Sequence, residues 1–75
     1  MRVELYFRLE PEGGYTVIVP ALPGCITCGK TDEEARRMAA EAVRLYLEDM
    51  RESGEEIPKL EAGLLSRVDV DLPAA

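Results

Sequence analysis

Two cysteines in a C-x-x-C spacing are the first residues in this sequence that could carry chemistry. Cys25 and Cys28 could supply two ligands of a zinc site or the thiol pair of a redox centre. The 75-residue chain has no other cysteine and no histidine, so only a zinc site shared between two subunits stays open. In an extended strand, residues three apart point to opposite faces, which would separate the two sulfurs. We therefore interpret both cysteines as ordinary strand residues and expect no metal.

Carboxylates are the second group with catalytic potential, because acidic side chains gathered at one place can hold Mg²⁺. The predicted order of elements, β-β-β-α-β, resembles part of the ribonuclease H fold, whose acidic active site draws on such elements. The candidate pairs are Glu4 or Glu10, Glu41 or Glu48, and Asp69 or Asp71. These residues also fit the solvent-exposed faces of alternating strands and of an amphipathic helix, and we favour that interpretation. A metal-dependent nuclease stays open as the alternative.

Nucleophilic catalysis and phosphate binding have no signature in this sequence. Without histidine, neither a Ser-His nor a Cys-His pair can form. Gly13-Gly14 and Pro23-Gly24 are typical of turns, and neither G-x-x-x-x-G-K-[ST] nor G-x-G-x-x-G occurs. We therefore expect no catalytic residue, no cofactor and no enzymatic activity.

The elements that must position these side chains begin with three short strands. Residues 3–9 alternate apolar and polar side chains, which predicts a strand with one buried face. Glu12-Gly13-Gly14 predicts a tight hairpin turn, and the aromatic and β-branched residues 15–19 predict a second strand. After a turn at Pro23-Gly24, a third strand is expected over residues 25–29. Together these strands predict an antiparallel meander.

A long amphipathic helix is predicted from residue 32 to residue 53. Thr31 and Glu34 have the spacing of a capping box at its start, and Gly54 follows its end. Apolar residues recur at three- and four-residue steps, which predicts one stripe packed on the sheet. The stripe comprises Ala35, Met38, Ala39, Ala42, Val43, Tyr46, Leu47 and Met50.

A fourth strand is predicted after a loop over residues 55–63. Val68, Val70 and Leu72 alternate with charged residues, and Pro73 would end the strand. The fold class is therefore α+β in the order β-β-β-α-β, as one domain over residues 1–75, with the helix on one face of the sheet. If the helix crosses the sheet, the fourth strand can pair with the first.

A homo-oligomer, dimer or larger, is the expected source of additional stability for so short a chain. The sheet face away from the helix would carry Tyr6, Thr16 and Ile18, which are too apolar to remain fully exposed. Covering that face or extending an edge strand would join two copies.

Composition limits the classes of function. Hydrophobic residues make up 47% and charged residues 32% of the chain, as in folded globular domains. The net charge of −6 disfavours direct binding to nucleic acid and favours a basic protein partner.

The sequence has neither a membrane span nor the apolar core of a signal peptide, so we expect a cytoplasmic protein with reduced cysteines. Asn, Gln, His and Trp are absent while Glu and Arg are abundant, a bias typical of a thermophilic or GC-rich source.

The middle of the sequence resembles the HicB antitoxin family. Its members carry a strand ending in proline, then Leu-Pro-Gly-Cys, a short strand, and Gly-x-Thr-x-Glu-Glu-Ala at the helix start. The matching positions, which we expect to form a turn and a helix cap, are Pro20, Leu22, Pro23, Gly24, Cys25, Gly29, Thr31 and Glu34. Later segments of the family also fit Glu41-Ala42, Tyr46-Leu47, residues 54–58 and residues 68–73. One departure is Ala21, where members usually have an acidic residue.

The resemblance implies a partial ribonuclease H-like fold without nuclease activity. It also implies an antitoxin that binds a small basic, mRNA-cleaving toxin of the HicA type and occludes its working surface. Members often continue into a DNA-binding helix-turn-helix or ribbon-helix-helix, and because this chain ends two residues after Pro73 we expect a stand-alone domain without that module. The resemblance assigns no residue to the partner surface. A structural oligomer without a toxin is a further alternative.

Overall fold

The computed structural model of the chain describes residues 2–57 and 66–73. Three strands precede one helix: Tyr6–Leu9 (β1), Tyr15–Ile18 (β2), Ile26–Gly29 (β3) and Asp32–Glu52 (α1). The predicted α+β class, with an antiparallel meander followed by a long helix, is confirmed.

The three strands form one antiparallel sheet in the order β1-β2-β3. A tight turn closes the first hairpin, where the Glu10 N–H donates to the Gly14 carbonyl at 3.0 Å and the Gly13 N–H donates to the Glu10 carbonyl at 3.0 Å. This is the position at which Gly-Gly predicted a turn. The strands are shorter than predicted, because pairing starts only at Tyr6 and β2 stops at Ile18, ahead of the turn that contains Pro20.

Both ends of α1 are capped. At its start the Thr31 hydroxyl accepts from the Glu34 N–H at 3.1 Å, which satisfies one of the free amides of the first turn. At its end the Gly54 N–H donates to the Arg51 carbonyl at 3.2 Å and the Glu55 N–H to the Met50 carbonyl at 2.9 Å. These two bonds form a Schellman motif, which ends the helix at Glu52.

The core lies between α1 and the sheet in two adjoining clusters. One contains Val17 with Ala35 and Ala39, and the other contains Val19, Leu22 and Cys25; none of the six is more than 5% exposed. The larger side chains of α1 that pack against the second cluster are Val43, Tyr46 and Leu47. Met38, which the periodicity placed in the stripe, is instead 39% exposed, because the buried stripe is centred on Ala35 and Ala39.

A close approach of backbones fixes the start of α1 against β3. Gly29 is buried, and a Cβ atom built on it would lie 2.5 Å from the Ala35 nitrogen and 2.6 Å from the Ala35 Cα. No real Cβ atom tolerates such distances to backbone atoms. Only glycine fits at position 29 without moving α1 away from β3.

The predicted fourth strand is not seen. Residues 66–73 form no strand, and Val68, Val70 and Leu72 are 83%, 71% and 85% exposed. The alternation indicates an extended segment with one apolar face, but the choice of a pairing partner depends on contacts far along the chain, which the local pattern does not encode. Of the predicted loop over 55–63, residues 58–63 lie outside the described residues.

Replacing Gly29 with alanine is expected to lower the free energy of unfolding by about 1–3 kcal/mol, because the added methyl forces α1 away from β3. Urea denaturation monitored by circular dichroism measures this. Ala35→Gly should not rescue the variant, since the two shortest contacts are to backbone atoms. Cys28→Ala, at the exposed neighbouring position, serves as the control, and an equal loss in both variants would contradict this explanation.

Candidate protein-binding surfaces

The loop between β2 and β3 is built from two consecutive turns. The Leu22 N–H donates to the Val19 carbonyl at 3.0 Å, and the Cys25 N–H donates to the Leu22 carbonyl at 3.0 Å. Pro20 and Pro23 each occupy the second position of a turn, where the fixed φ of proline is favourable. Gly24 follows with a φ of +82°, the conformation that a type II turn requires at its third position. A bond from the Val19 N–H to the Cys25 carbonyl, 3.1 Å, closes the loop.

This loop is fastened to the second half of α1. The Leu22 side chain is fully buried beneath it, and the Tyr46 hydroxyl donates to the Pro23 carbonyl at 2.8 Å. Ala21, the position at which HicB proteins usually have an acid, lies exposed at the tip of the loop. A carboxylate there would face solvent or a partner and would not contact the core.

The sequence motif residues thus lie at two junctions of the fold. Pro20, Leu22, Pro23, Gly24 and Cys25 form the β2–β3 loop. Gly29, Thr31 and Glu34 form the start of α1, where the strand meets the helix and the helix is capped. All eight residues therefore lie where the backbone turns or where the helix is capped.

The two cysteines point away from each other. Cys25 is buried in the core beside Val19 and Leu22, whereas Cys28 is exposed on the opposite face of the sheet, and both are free thiols. Burial raises the pKa of the Cys25 thiol, which favours its neutral form. The pair therefore does not form a redox centre or half of a zinc site within one chain.

The acidic residues considered for a metal site are dispersed. Glu41 and Glu48 both pair with Arg44 on the outer face of α1, at 3.8 Å and 3.0 Å. Glu10 pairs with Arg8 at 2.8 Å, and this hydrogen bond, helped by another from Thr16, lowers the pKa of its carboxyl. Within residues 2–57 and 66–73, no three side chains among Cys, Asp and Glu are placed to hold one metal ion.

An acidic cluster at the end of α1 was not identified from the sequence. Asp49, Glu52, Glu55 and Glu56 are all exposed, and no ion pair is formed by any of the four within the described part of the chain. We call these four residues the acidic helix end. Carboxylates at the negative end of a helix dipole are unfavourable, and Arg51 is the one basic residue in the last turn. The sequence does show acidic residues where the helix dipole disfavours them, and this could have identified the acidic helix end. Acidic residues recur along the whole helix, so those at its end did not stand out.

The sheet face opposite α1 carries an apolar row. The register places Tyr6, Ile18 and Ile26 side by side across the three strands, and Ile26 is 59% exposed. The next row, Arg8 and Thr16 with Cys28, is polar or small. The apolar part of this face is therefore confined to one end of the sheet.

The described residues contain no helix with the length and apolar character needed to cross a bilayer.

Comparison with known proteins gives one family and several relatives. Residues 6–71 match the family described as "HicB_like antitoxin of bacterial toxin-antitoxin system". A UPF0150 protein of Thermoplasma acidophilum is 42% identical over 59 residues, which cover 79% of this chain and 86% of the relative. The protein "Antitoxin HicB 1" of Photorhabdus laumondii is 42% identical over 67 residues, covering 87% of this chain.

This chain spans only part of some of these relatives. It covers 42% of the Photorhabdus protein and 35% of a 14.9 kDa protein of Haemophilus phage HP1, to which it is 48% identical over 46 residues.

Removing the Tyr46 hydroxyl by Tyr46→Phe is expected to lower the free energy of unfolding by about 0.5–1.5 kcal/mol, because the bond to the Pro23 carbonyl is lost. Thermal and urea denaturation measure the effect. The matched control is Tyr6→Phe on the open sheet face. A loss that is no larger for Tyr46 than for Tyr6 would show that the bond contributes nothing to stability.

Cys28 is expected to react with iodoacetamide faster than Cys25 by roughly an order of magnitude or more, because Cys25 is buried and its raised pKa reduces the thiolate fraction. Peptide mass spectrometry after timed labelling of the native protein measures both rates. Labelling in guanidinium should abolish the difference. Equal rates in the native protein would contradict the buried position of Cys25.

Proposed function

Because this chain belongs to the HicB-like antitoxins of bacterial toxin–antitoxin systems, we propose that it neutralises a small basic toxin of the HicA type by binding it. The bound antitoxin would cover the surface with which such a toxin contacts and cleaves mRNA. In this proposal the chain acts by recognition alone and is not an enzyme. The ion-paired acids of α1 and the separated cysteines support that view.

The observation that carries the proposal is the acidic helix end. Its carboxylates lie at the negative end of the α1 dipole, and within residues 2–57 and 66–73 none of them forms an ion pair, so a basic partner would relieve an unfavourable arrangement of charge. The Schellman motif fixes the backbone of Glu55 on the last turn of the helix. The acids are therefore presented on a rigid support, which reduces the entropy lost on binding.

The rest of α1 is less suited to this contact. Arg36 pairs with Asp32, and Arg44 pairs with both Glu41 and Glu48, so opposite charges alternate along the middle of the helix. Because these arginines neutralise part of the acidic charge there, this surface attracts a basic protein less than unpaired carboxylates would. We therefore assign the first contact with the toxin to the end of α1.

The compartment and the oligomeric state belong to the same proposal. We place the protein in the cytoplasm, where both free thiols stay reduced and where an mRNA-cleaving toxin would act. We also propose a homo-oligomer, because the apolar row of Tyr6, Ile18 and Ile26 favours association, as do the outer edges of β1 and β3, which pair with no further strand among the described residues.

Co-expression with a small basic toxin encoded beside this chain tests the proposal. We expect rescue of growth, a complex that survives purification, and weaker binding at high ionic strength. The double variant Glu52→Gln with Glu55→Gln should raise the Kd by about 3- to 10-fold, the effect of losing two charge contacts at an exposed surface. The matched control, Glu12→Gln with Glu33→Gln, removes the same charge elsewhere and should leave the Kd within about twofold.

Two results would overturn the proposal. Absence of a complex at micromolar concentration, with no rescue of growth, would leave a structural oligomer as the function. Cleavage of RNA, DNA or a hybrid duplex by the pure protein with Mg²⁺ or Mn²⁺, abolished by Asp69→Asn, would establish the nuclease alternative.

A further inference from the structure

An apolar groove lies beside β1, under the edge of α1. Its volume is about 420 Å³, and its apolar lining comes from Val3 and Leu5 ahead of the strand and from Ala39, Ala40, Val43 and Leu47 on the helix. α1 packs mainly over β3 and β2. Its contacts with β1 are made by Phe7, which packs against the cluster of Val17, Ala35 and Ala39 and lies under the Arg36 guanidinium, 5.1 Å from the ring centroid. The groove remains open between α1 and residues 3 and 5, just ahead of β1.

The backbone of β1 is free along the same side. β1 is hydrogen-bonded to β2 and to no other strand within the described residues. Because Glu10 and Gly14 form a hydrogen-bonded pair, the alternation of an antiparallel ladder directs the N–H and C=O groups of Phe7 and Leu9 away from β2. This edge can accept another strand directly beside the groove.

The end of the described chain has the complementary pattern. Val68, Val70 and Leu72 alternate with Arg67, Asp69 and Asp71, and these three apolar side chains are almost fully exposed. The segment starts near β1, since Ser66 and Arg67 line a shallow cleft together with Leu5, Tyr6 and Phe7. From Val68 onward it leaves the sheet and packs on nothing that would bury its apolar face.

We propose that residues 68–72 of one copy add to β1 of a second copy as its fourth strand and fill the groove of that copy. The period of two in a strand decides which side chains enter. Val68, Val70 and Leu72 would face α1 of the second copy, on the same side as Phe7. Asp69 and Asp71 would lie on the opposite face of the sheet, the face of Tyr6 and Arg8.

A second copy suits this groove because donor and acceptor occur together on every chain. Two copies related by a two-fold axis would each give a segment and each receive one, so the interface closes without leaving an open edge on either β1. The exchange needs no toxin and stands or falls separately from the antitoxin role. The residues of the acidic helix end do not line the groove.

Analytical ultracentrifugation of the full chain tests the association. We expect a species of close to twice the 8.3 kDa chain mass. Arg36 and Arg44 also line the groove and could pair with a carboxylate at position 40. Ala40→Glu should still raise the dimer dissociation constant by at least about tenfold, because the larger charged side chain would take the space of the incoming apolar side chains and would be desolvated there. Val70→Asp should act in the same way from the donor segment. Met38→Glu, at an exposed position of α1 outside the groove, is the matched control and should leave the dimer intact.

Disulfide trapping distinguishes exchange from pairing within one chain. Ala40→Cys and Val70→Cys are made in separate proteins, each with Cys25→Ala and Cys28→Ser, and the two are refolded together and oxidised. We expect a disulfide-linked dimer from the mixture and far less from either protein alone. When both substitutions are placed in one chain, exchange again gives the linked dimer.

Three results would overturn the exchange. The first is a chain that is monomeric at all concentrations. The second is a dimer that persists in both the Ala40→Glu and the Val70→Asp variant while their helix content is unchanged. A disulfide formed within a single chain by the doubly substituted protein would show that the groove takes its own segment.

Discussion

The contact between Gly29 and Ala35 determines where the helix lies on the sheet. With no side chain on Gly29, the first turn of α1 approaches the backbone of β3 to a distance that a Cβ atom would prevent. Farther along, the Tyr46 hydroxyl holds the helix to the β2–β3 loop at Pro23. These two attachments are both on the β3 side of the sheet, so α1 lies mainly over β3 and β2, and a groove stays open between α1 and residues 3 and 5 ahead of β1. The core, the exposed apolar surface and the free edge all follow from this placement.

Local features of the fold could be predicted from the sequence because each depends on a few neighbouring residues. The Gly-Gly turn, the Thr31 cap and the end of α1 near Gly54 are hydrogen-bonded within five residues of one another. The α+β class followed from the same local patterns. The fourth strand could not be predicted in this way. Val68, Val70 and Leu72 specify an extended segment with one apolar face, but they do not specify the strand edge with which it pairs. The prediction for Met38 was wrong for a related reason. Helical periodicity allows a wide apolar stripe, whereas the close approach of Ala35 to Gly29 turns Ala35 and Ala39 toward the sheet, and these two are the buried residues of α1.

The candidate surfaces show the same division. The HicB motif residues were identified from the sequence, yet their positions in the β2–β3 loop and at the start of α1 are those of supports for the fold. The acidic helix end was hidden among charges that repeat along the whole helix. It became visible once the ion pairs were located, because Arg36 and Arg44 neutralise acids in the first and middle turns and none of these pairs extends to Asp49 or Glu52. These pairs join residues three or four apart, so the linear pattern allows each of them, and the structure shows which of the allowed pairs form.

Association with a toxin and association between copies depend on opposite electrostatic terms. A chain with a net charge of −6 attracts a basic partner but repels its own copy. Dissolved salt screens both effects, so it weakens the first association and relieves the repulsion in the second. The free energy gained by burying Val68, Val70 and Leu72 in a groove does not depend on charge. For two copies to associate, this gain has to exceed the electrostatic repulsion between them. The two proposed contacts, one through the apolar segment and one through the acidic helix end, would use different residues and would not compete.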